Sequence, residues 1–229
     1  MKLLLRAGLV GSLVLTISMV AAASSIWTEG DNSEGGAGGQ IKSANVTVGF
    51  GSLTEIIGTL GDVTAGSDLY EIYISDPSTF SATTTGNGSK PVVDPALYLF
   101  NASGAGLFGN DNISGTDFQA QIPVGTTSSL TAGLYYILIA PSGHLPEDKN
   151  GNSIFGAITG QTEIFDGSGT LKEYGGTPSA DDAGKGYTIQ LTGAEFAYTP
   201  EPGSLTFVGF GVAMLAWNRG KRQRDARRS

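Results

Sequence analysis

Asp94-Pro95-Ala96-Leu97-Tyr98-Leu99-Phe100-Asn101 is the stretch that decides the fold. Ala96 to Phe100 is an unbroken apolar and aromatic run, closed on either side by turn formers. A run of that length between turn signals reads as a strand, and its continuity predicts a central one. Working outward, further short runs share the pattern. Asn45–Phe50 alternates, Leu53–Leu60 is mixed, and Asp68–Ser75 alternates again. Phe118–Ile122, Leu134–Ala140 and Gly186–Leu191 complete the set. Gly, Asp, Asn, Ser and Pro stand between them, so the chain reads as an all-β sandwich or barrel. Leu97, Leu99, Tyr136 and Leu138 are the expected core. Pro141 to Lys185 is the long interruption, patterned only near Ile154–Phe155 and Glu163–Phe165. Loops of that length in compact domains are functional or disordered.

The two ends of the 229-residue chain have a different character. Lys2 and Arg6 precede the uncharged run Ala7–Val20, and Ala21-Ala22-Ala23 follows. Basic, apolar and small-residue segments in that order predict a secretory signal helix over residues 1–23. Residues 24–40, rich in Gly and Asn, read as a flexible linker. The expected β domain covers 41–198. At the other end Pro200, Glu201 and Pro202 form a stiff, extended corner, because each proline fixes φ and restricts the residue before it. The fifteen uncharged residues Gly203–Trp217 follow. As a helix they span roughly 22 Å, against about 30 Å for a bilayer core. This predicts a transmembrane helix that holds the chain only for a time. Arg219, Lys221, Arg222, Arg224, Arg227 and Arg228 end the chain and should stay cytoplasmic.

Removing both ends changes the charge. The whole chain carries −8, but residues 24–200 hold five lysines, no arginine and nineteen carboxylates, a net of −14. Such a body disfavours nucleic acid, whose phosphates need Lys and Arg. There is no cysteine, which excludes thiol catalysis, disulfides and Cys-ligated zinc. The single histidine, His144, reads as a polar loop residue.

The arrangement of residues 199–229 resembles the PEP-CTERM sorting signal of Gram-negative bacteria, carried by Pro200-Glu201-Pro202, the run Ser204–Trp217 and the basic tail from Arg219. The resemblance implies processing by an exosortase-type membrane enzyme, a precursor held in the inner membrane, and a final place at the cell surface or outside the cell. The body resembles the bacterial pre-peptidase C-terminal domain. Ser67-Asp68-Leu69-Tyr70, Asp94 to Asn101, Gly109-Asn110-Asp111-Asn112 and Gly133-Leu134-Tyr135-Tyr136 carry that likeness. It implies a jelly-roll-like antiparallel β-sandwich. Asn112 stands where that family commonly has a second Asp, which weakens any inherited metal site.

Three patterns are candidates for chemistry. Asp94, Asn101, Asn110 and Asp111 flank one strand and the turn beyond it, and could supply oxygens to Ca²⁺, or could simply close Asx turns. Asp148-Lys149-Asn150-Gly151-Asn152 begins like an EF-hand loop but lacks its Gly and Glu, and reads as an Asn-Gly turn. Gly104-Ala105-Gly106-Leu107-Phe108-Gly109 formally matches a dinucleotide fingerprint, but turn residues follow it where a helix is required. Trp27 and Tyr174 are aromatic residues that could stack on carbohydrate. The expected function is that of an exported, non-enzymatic surface or matrix protein. The alternative is a Ca²⁺-dependent module that binds exopolysaccharide. A secreted hydrolase is disfavoured by the lone histidine and the absence of a nucleophile motif.

Overall fold

The computed structural model describes residues 25–30, 36–61, 66–126, 130–155 and 165–199. The signal segment 1–23, the Pro200–Pro202 corner, the apolar run to Trp217 and the basic tail lie outside the described residues. No helix among the described residues is long and apolar enough to cross a membrane.

Fourteen strands build the described part: β1 (Ile26–Thr28), β2 (Asn45–Val46), β3 (Glu55–Thr59), β4 (Asp68–Ile74), β5 (Ser81–Asn87), β6 (Pro95–Asn101), β7 (Gly106–Asn110), β8 (Gln121–Ile122), β9 (Gly133–Pro141), β10 (His144–Glu147), β11 (Phe165–Asp166), β12 (Glu173–Gly176), β13 (Gly186–Thr192) and β14 (Ala194–Phe196). One sheet has the order β1-β3-β13-β5-β8, and the other the order β11-β7-β6-β9-β4-β14. β2 shares the outer edge of β4 with β14. The chain is an all-β sandwich, as its sequence predicts.

Within the set β3-β13-β5-β8 and β4-β9-β6-β7 every pairing is antiparallel. The expectation of a wholly antiparallel sandwich needs correction at the edges. β1 runs parallel to β3 and β2 parallel to β4. Both are short segments laid against an edge after long connections, where no hairpin imposes antiparallel direction. The expected linker over 24–40 is also corrected in its described parts. It contains β1, whose Trp27 is 3% exposed and belongs to the core. That burial also removes Trp27 as an exposed carbohydrate platform.

The expected core residues divide between two faces, because successive side chains of a strand point oppositely. Leu97 and Leu99 of β6 pair in register with Ile139 and Ile137 of β9, and all four lie in the cluster between the sheets. Tyr98 and Phe100 pair with Leu138 and Tyr136 and lie in a second cluster on the outer face. Ile154, Phe155 and Leu171 cover that face. The ring of Phe155 lies 4.9 Å from that of Tyr98 and 5.4 Å from that of Phe100. The long interruption therefore supplies a third layer. Its β10 and β12 form a separate two-stranded flap. β6 is continuous in apolarity because both its faces are covered.

Candidate metal centre

The β6–β7 hairpin places Leu97 opposite Asn110, so Asp94 before β6 and Asp111 after β7 sit at the same end of the pair. Asn101 sits at the other end. Its Oδ1 accepts the amides of Ser103 and Ala105 (both 3.0 Å) and the Ser103 hydroxyl (2.7 Å), closing the turn in which Gly104 has φ +79°. Asn110 is buried and committed to the backbone. Its Oδ1 accepts the Gln121 amide at 2.8 Å and its Nδ2 donates to the Asn112 carbonyl at 3.1 Å. Of the four expected Ca²⁺ ligands, the fold brings together Asp94 and Asp111, and uses Asn101 and Asn110 to shape the turns.

Two residues absent from the sequence reading join them. Ser142 donates its amide to the Asp94 carbonyl (2.9 Å) and its hydroxyl to Asp111 Oδ2 (3.4 Å). Asp182 accepts the Val93 amide on Oδ1 (2.7 Å) and the Asp94 amide on Oδ2 (3.2 Å). The Ser179 amide donates to the Ser142 carbonyl at 2.8 Å, so the start and the end of the third layer meet at this corner. Ser142 stands 31 residues from Asp111, and Asp182 stands 88 from Asp94. No local spacing could have signalled either contact.

The corner is electrostatically unsettled. Asp94 Oδ1 and Asp111 Oδ1 are buried without a hydrogen-bond partner, as is the hydroxyl of fully buried Tyr98. Burial pushes the Asp111 carboxyl up to about 6, with the charge of Asp94 adding and the Ser142 hydroxyl opposing. Asp94 is raised by burial, then by the charge of Asp182, and Ser142 again opposes. Burial raises Asp182 too, against the Val93 and Asp94 amides that favour its charged form. The Tyr98 hydroxyl is raised by burial and then by the charge of Asp111. Unpaired buried carboxylate oxygens are the donor chemistry that a hard cation takes. No three His, Cys, Asp or Glu side chains converge as a metal-holding group among the described residues. An ion here would need backbone carbonyls and water to complete its six to eight oxygens.

Comparison with known proteins adds no assignment. No family model, curated protein or solved structure matches the chain. The chemistry of the residues is the guide to the site.

A second polar cluster lies where the flap meets the start of β4. Ser67 Oγ is 2.7 Å from His144 Nδ1. The His144 and Tyr174 rings stack at 4.6 Å, and the Tyr174 hydroxyl donates to the Gly39 carbonyl. His144 is thus the first residue of a strand, where the sequence had suggested a loop. Ser67 is 1% exposed, and its contact with Nδ1 braces the imidazole. Behind it, Tyr187 donates to Asp68 Oδ2 (2.8 Å) and shares a hydrogen bond with Tyr70 (2.7 Å), all buried. Asp148 accepts the amides of Asn150 (2.8 Å) and Asn152 (3.0 Å) with Gly151 at φ +75°, the Asn-Gly turn expected there.

Proposed function

We propose that this chain is an exported, non-enzymatic cell-surface or matrix protein whose β-sandwich takes a Ca²⁺ ion at Asp94 and Asp111. The observation that carries the metal reading is the pair of buried, unpartnered carboxylate oxygens held on one corner by Ser142 and Asp182. Asp94 and Asp111 would be the ligands. Asp182 would orient Asp94 through its backbone, and Ser142 would orient both. Bound there, an ion would compensate the charge of the two carboxylates. The antiparallel four-strand sets within the two sheets, β3-β13-β5-β8 and β4-β9-β6-β7, with most successive strands in opposite sheets, support the jelly-roll reading of the body.

Export rests on the two ends. In this reading Pro200, Glu201 and Pro202 are the recognition element for an exosortase-type enzyme. The run to Trp217 pauses in the inner membrane, and Arg219, Lys221, Arg222, Arg224, Arg227 and Arg228 hold the cytoplasmic side. Replacing the basic tail residues by glutamine should abolish the membrane pause. Unchanged processing would remove the tail from the mechanism.

Calorimetry with Ca²⁺ tests the metal. Binding at a hundredfold excess over Kd should stabilise the fold by about 2.7 kcal/mol. Asp94→Asn and Asp111→Asn should each abolish the heat. No heat and no rise in melting temperature would end the metal reading. The alternative of a carbohydrate-binding module is favoured by one further observation, the polar cavity beside His144.

A further inference from the structure

The flap formed by β10 and β12 does not close flush on the body. Between it and residues 37–40 lies a cavity of ≈ 370 Å³, lined by Gly38, Gly39, Gln40, Ser67, His144 and Tyr174, with Ala37 beside them. That volume is at the small end of ligand sites, enough for one ring and not for an extended chain.

The lining restricts the ligand. Among the described residues no Lys or Arg lines the cavity, and burial lowers His144 from its ordinary value, so the imidazole is neutral at neutral pH. An anion finds no countercharge in a body of net −14. No carboxylate among the described residues lines it either, so a cation finds no partner there. An apolar ligand would take the half-buried polar side chains of Gln40 and His144 out of water without offering them a hydrogen bond. What remains is neutral and polar. The ring pair gives such a ligand an apolar wall. The Ser67 bond engages Nδ1 and holds the imidazole in place, leaving Nε2 as the ring nitrogen that would meet a ligand.

We infer that the cavity under the flap binds one neutral sugar residue, with His144 hydrogen-bonding a ring hydroxyl and the His144–Tyr174 stack forming the apolar wall. This draws on the proposed surface role for the source of the ligand, a polysaccharide end or a free sugar, and is independent of the Ca²⁺ site.

His144 is the chain's single histidine, so its imidazole Cε1–H resonance reports this cavity alone. The full-length protein would be titrated with glucose, galactose, mannose and N-acetylglucosamine, and with glucuronate and glucosamine as charged controls. At least one neutral sugar should move the resonance saturably, and the charged ones should not. A terminally linked oligosaccharide of the same sugar should bind at least as well if the source is a polymer end; preference for the free sugar assigns the site to monosaccharide. Ser67→Ala, which keeps the reporter, should weaken binding several-fold. His144→Ala should weaken it at least tenfold by calorimetry, with an unchanged melting curve showing that the fold survives. The response should persist in chelator and in Asp94→Asn. A silent resonance, equal response to charged sugars, or His144→Ala binding like the parent overturns the inference. Loss of the response in chelator also overturns it, because the sugar would then sit on the ion at Asp94 and Asp111. A missing Ca²⁺ signal alone would leave it standing.

Discussion

Asp182 has no exposed surface, and its carboxylate receives two backbone amides, from Val93 and Asp94. Removing it by Asp182→Ala leaves both amides without their acceptor. Bonds to a charged group are worth about 1.5–3 kcal/mol each, so a loss on the order of 3 kcal/mol is expected in urea unfolding, with weaker Ca²⁺ binding through the freed Asp94. Titration of the buried carboxylates has a definite sign. Asp94, Asp111, Asp182 and Asp68 are all raised by burial, so the native state holds their protons more tightly than the unfolded chain does. Their contribution to stability is full below the unfolded carboxylate range and is lost as pH rises through the folded values. For Asp111 that value is about 6. Metal-free protein should therefore lose stability between about pH 4 and pH 7, and Asp111→Asn should flatten the slope. Asp76 and Asp148 are lowered by their turn hydrogen bonds, and act only below the ordinary carboxylate range. A metal-free stability that rises over that interval would contradict the assignment.

At the scale of elements, the glycines of Gly104-Ala105-Gly106-Leu107-Phe108-Gly109 have a packing role. Gly104 takes the left-handed turn, φ +79°, between β6 and β7. Gly106 and Gly109 let the third layer approach the sheet. A Cβ on Gly106 would stand 2.4 Å from Ile154 Cγ2 and 2.9 Å from Phe155 Cζ, and one on Gly109 would stand 3.2 Å from Phe155 Cδ1 and 2.7 Å from Cδ1 of Tyr98 in the neighbouring strand. Gly106→Ala should cost about 1–3 kcal/mol, the usual range for overpacking. Hydrogen exchange should quicken first at residues 153–155. Small residues at β7 hid this strand in the sequence, where turn chemistry was the natural reading. β5 was hidden differently. Ser81 to Asn87 has little apolar character, yet Ala82 and Thr84 point inward, and Thr84 Oγ1 exchanges hydrogen bonds with the backbone of Ala120. That contact cannot be seen before the sheets are packed. The expected strand Phe118–Ile122 shrinks to Gln121–Ile122, with Phe118 46% exposed.

At the scale of the whole molecule, three layers share two apolar clusters. Phe155 joins the outer layer to the sheet through Tyr98 and Phe100. Phe155→Ala should cost about 3–5 kcal/mol. Because its cluster is separate from the one between the sheets, protection should fall at Leu145–Phe155 before it falls at Leu97 and Ile137–Ile139. Simultaneous loss at both would mean that the layers unfold as one unit. Ala96–Phe100, Leu134–Ala140 and the turn residues between them were sufficient to set an all-β sandwich, because strand period and turn chemistry are local properties. The acid excess of residues 24–200 was also legible, since it needs only composition. The partners of Asp94 and Asp111, the burial of Trp27, the division of the apolar strands between two clusters and the cavity beside His144 were decided by tertiary structure alone. Each depends on segments tens of residues apart meeting in space, and neither periodicity nor spacing encodes which distant segment will cover a given face.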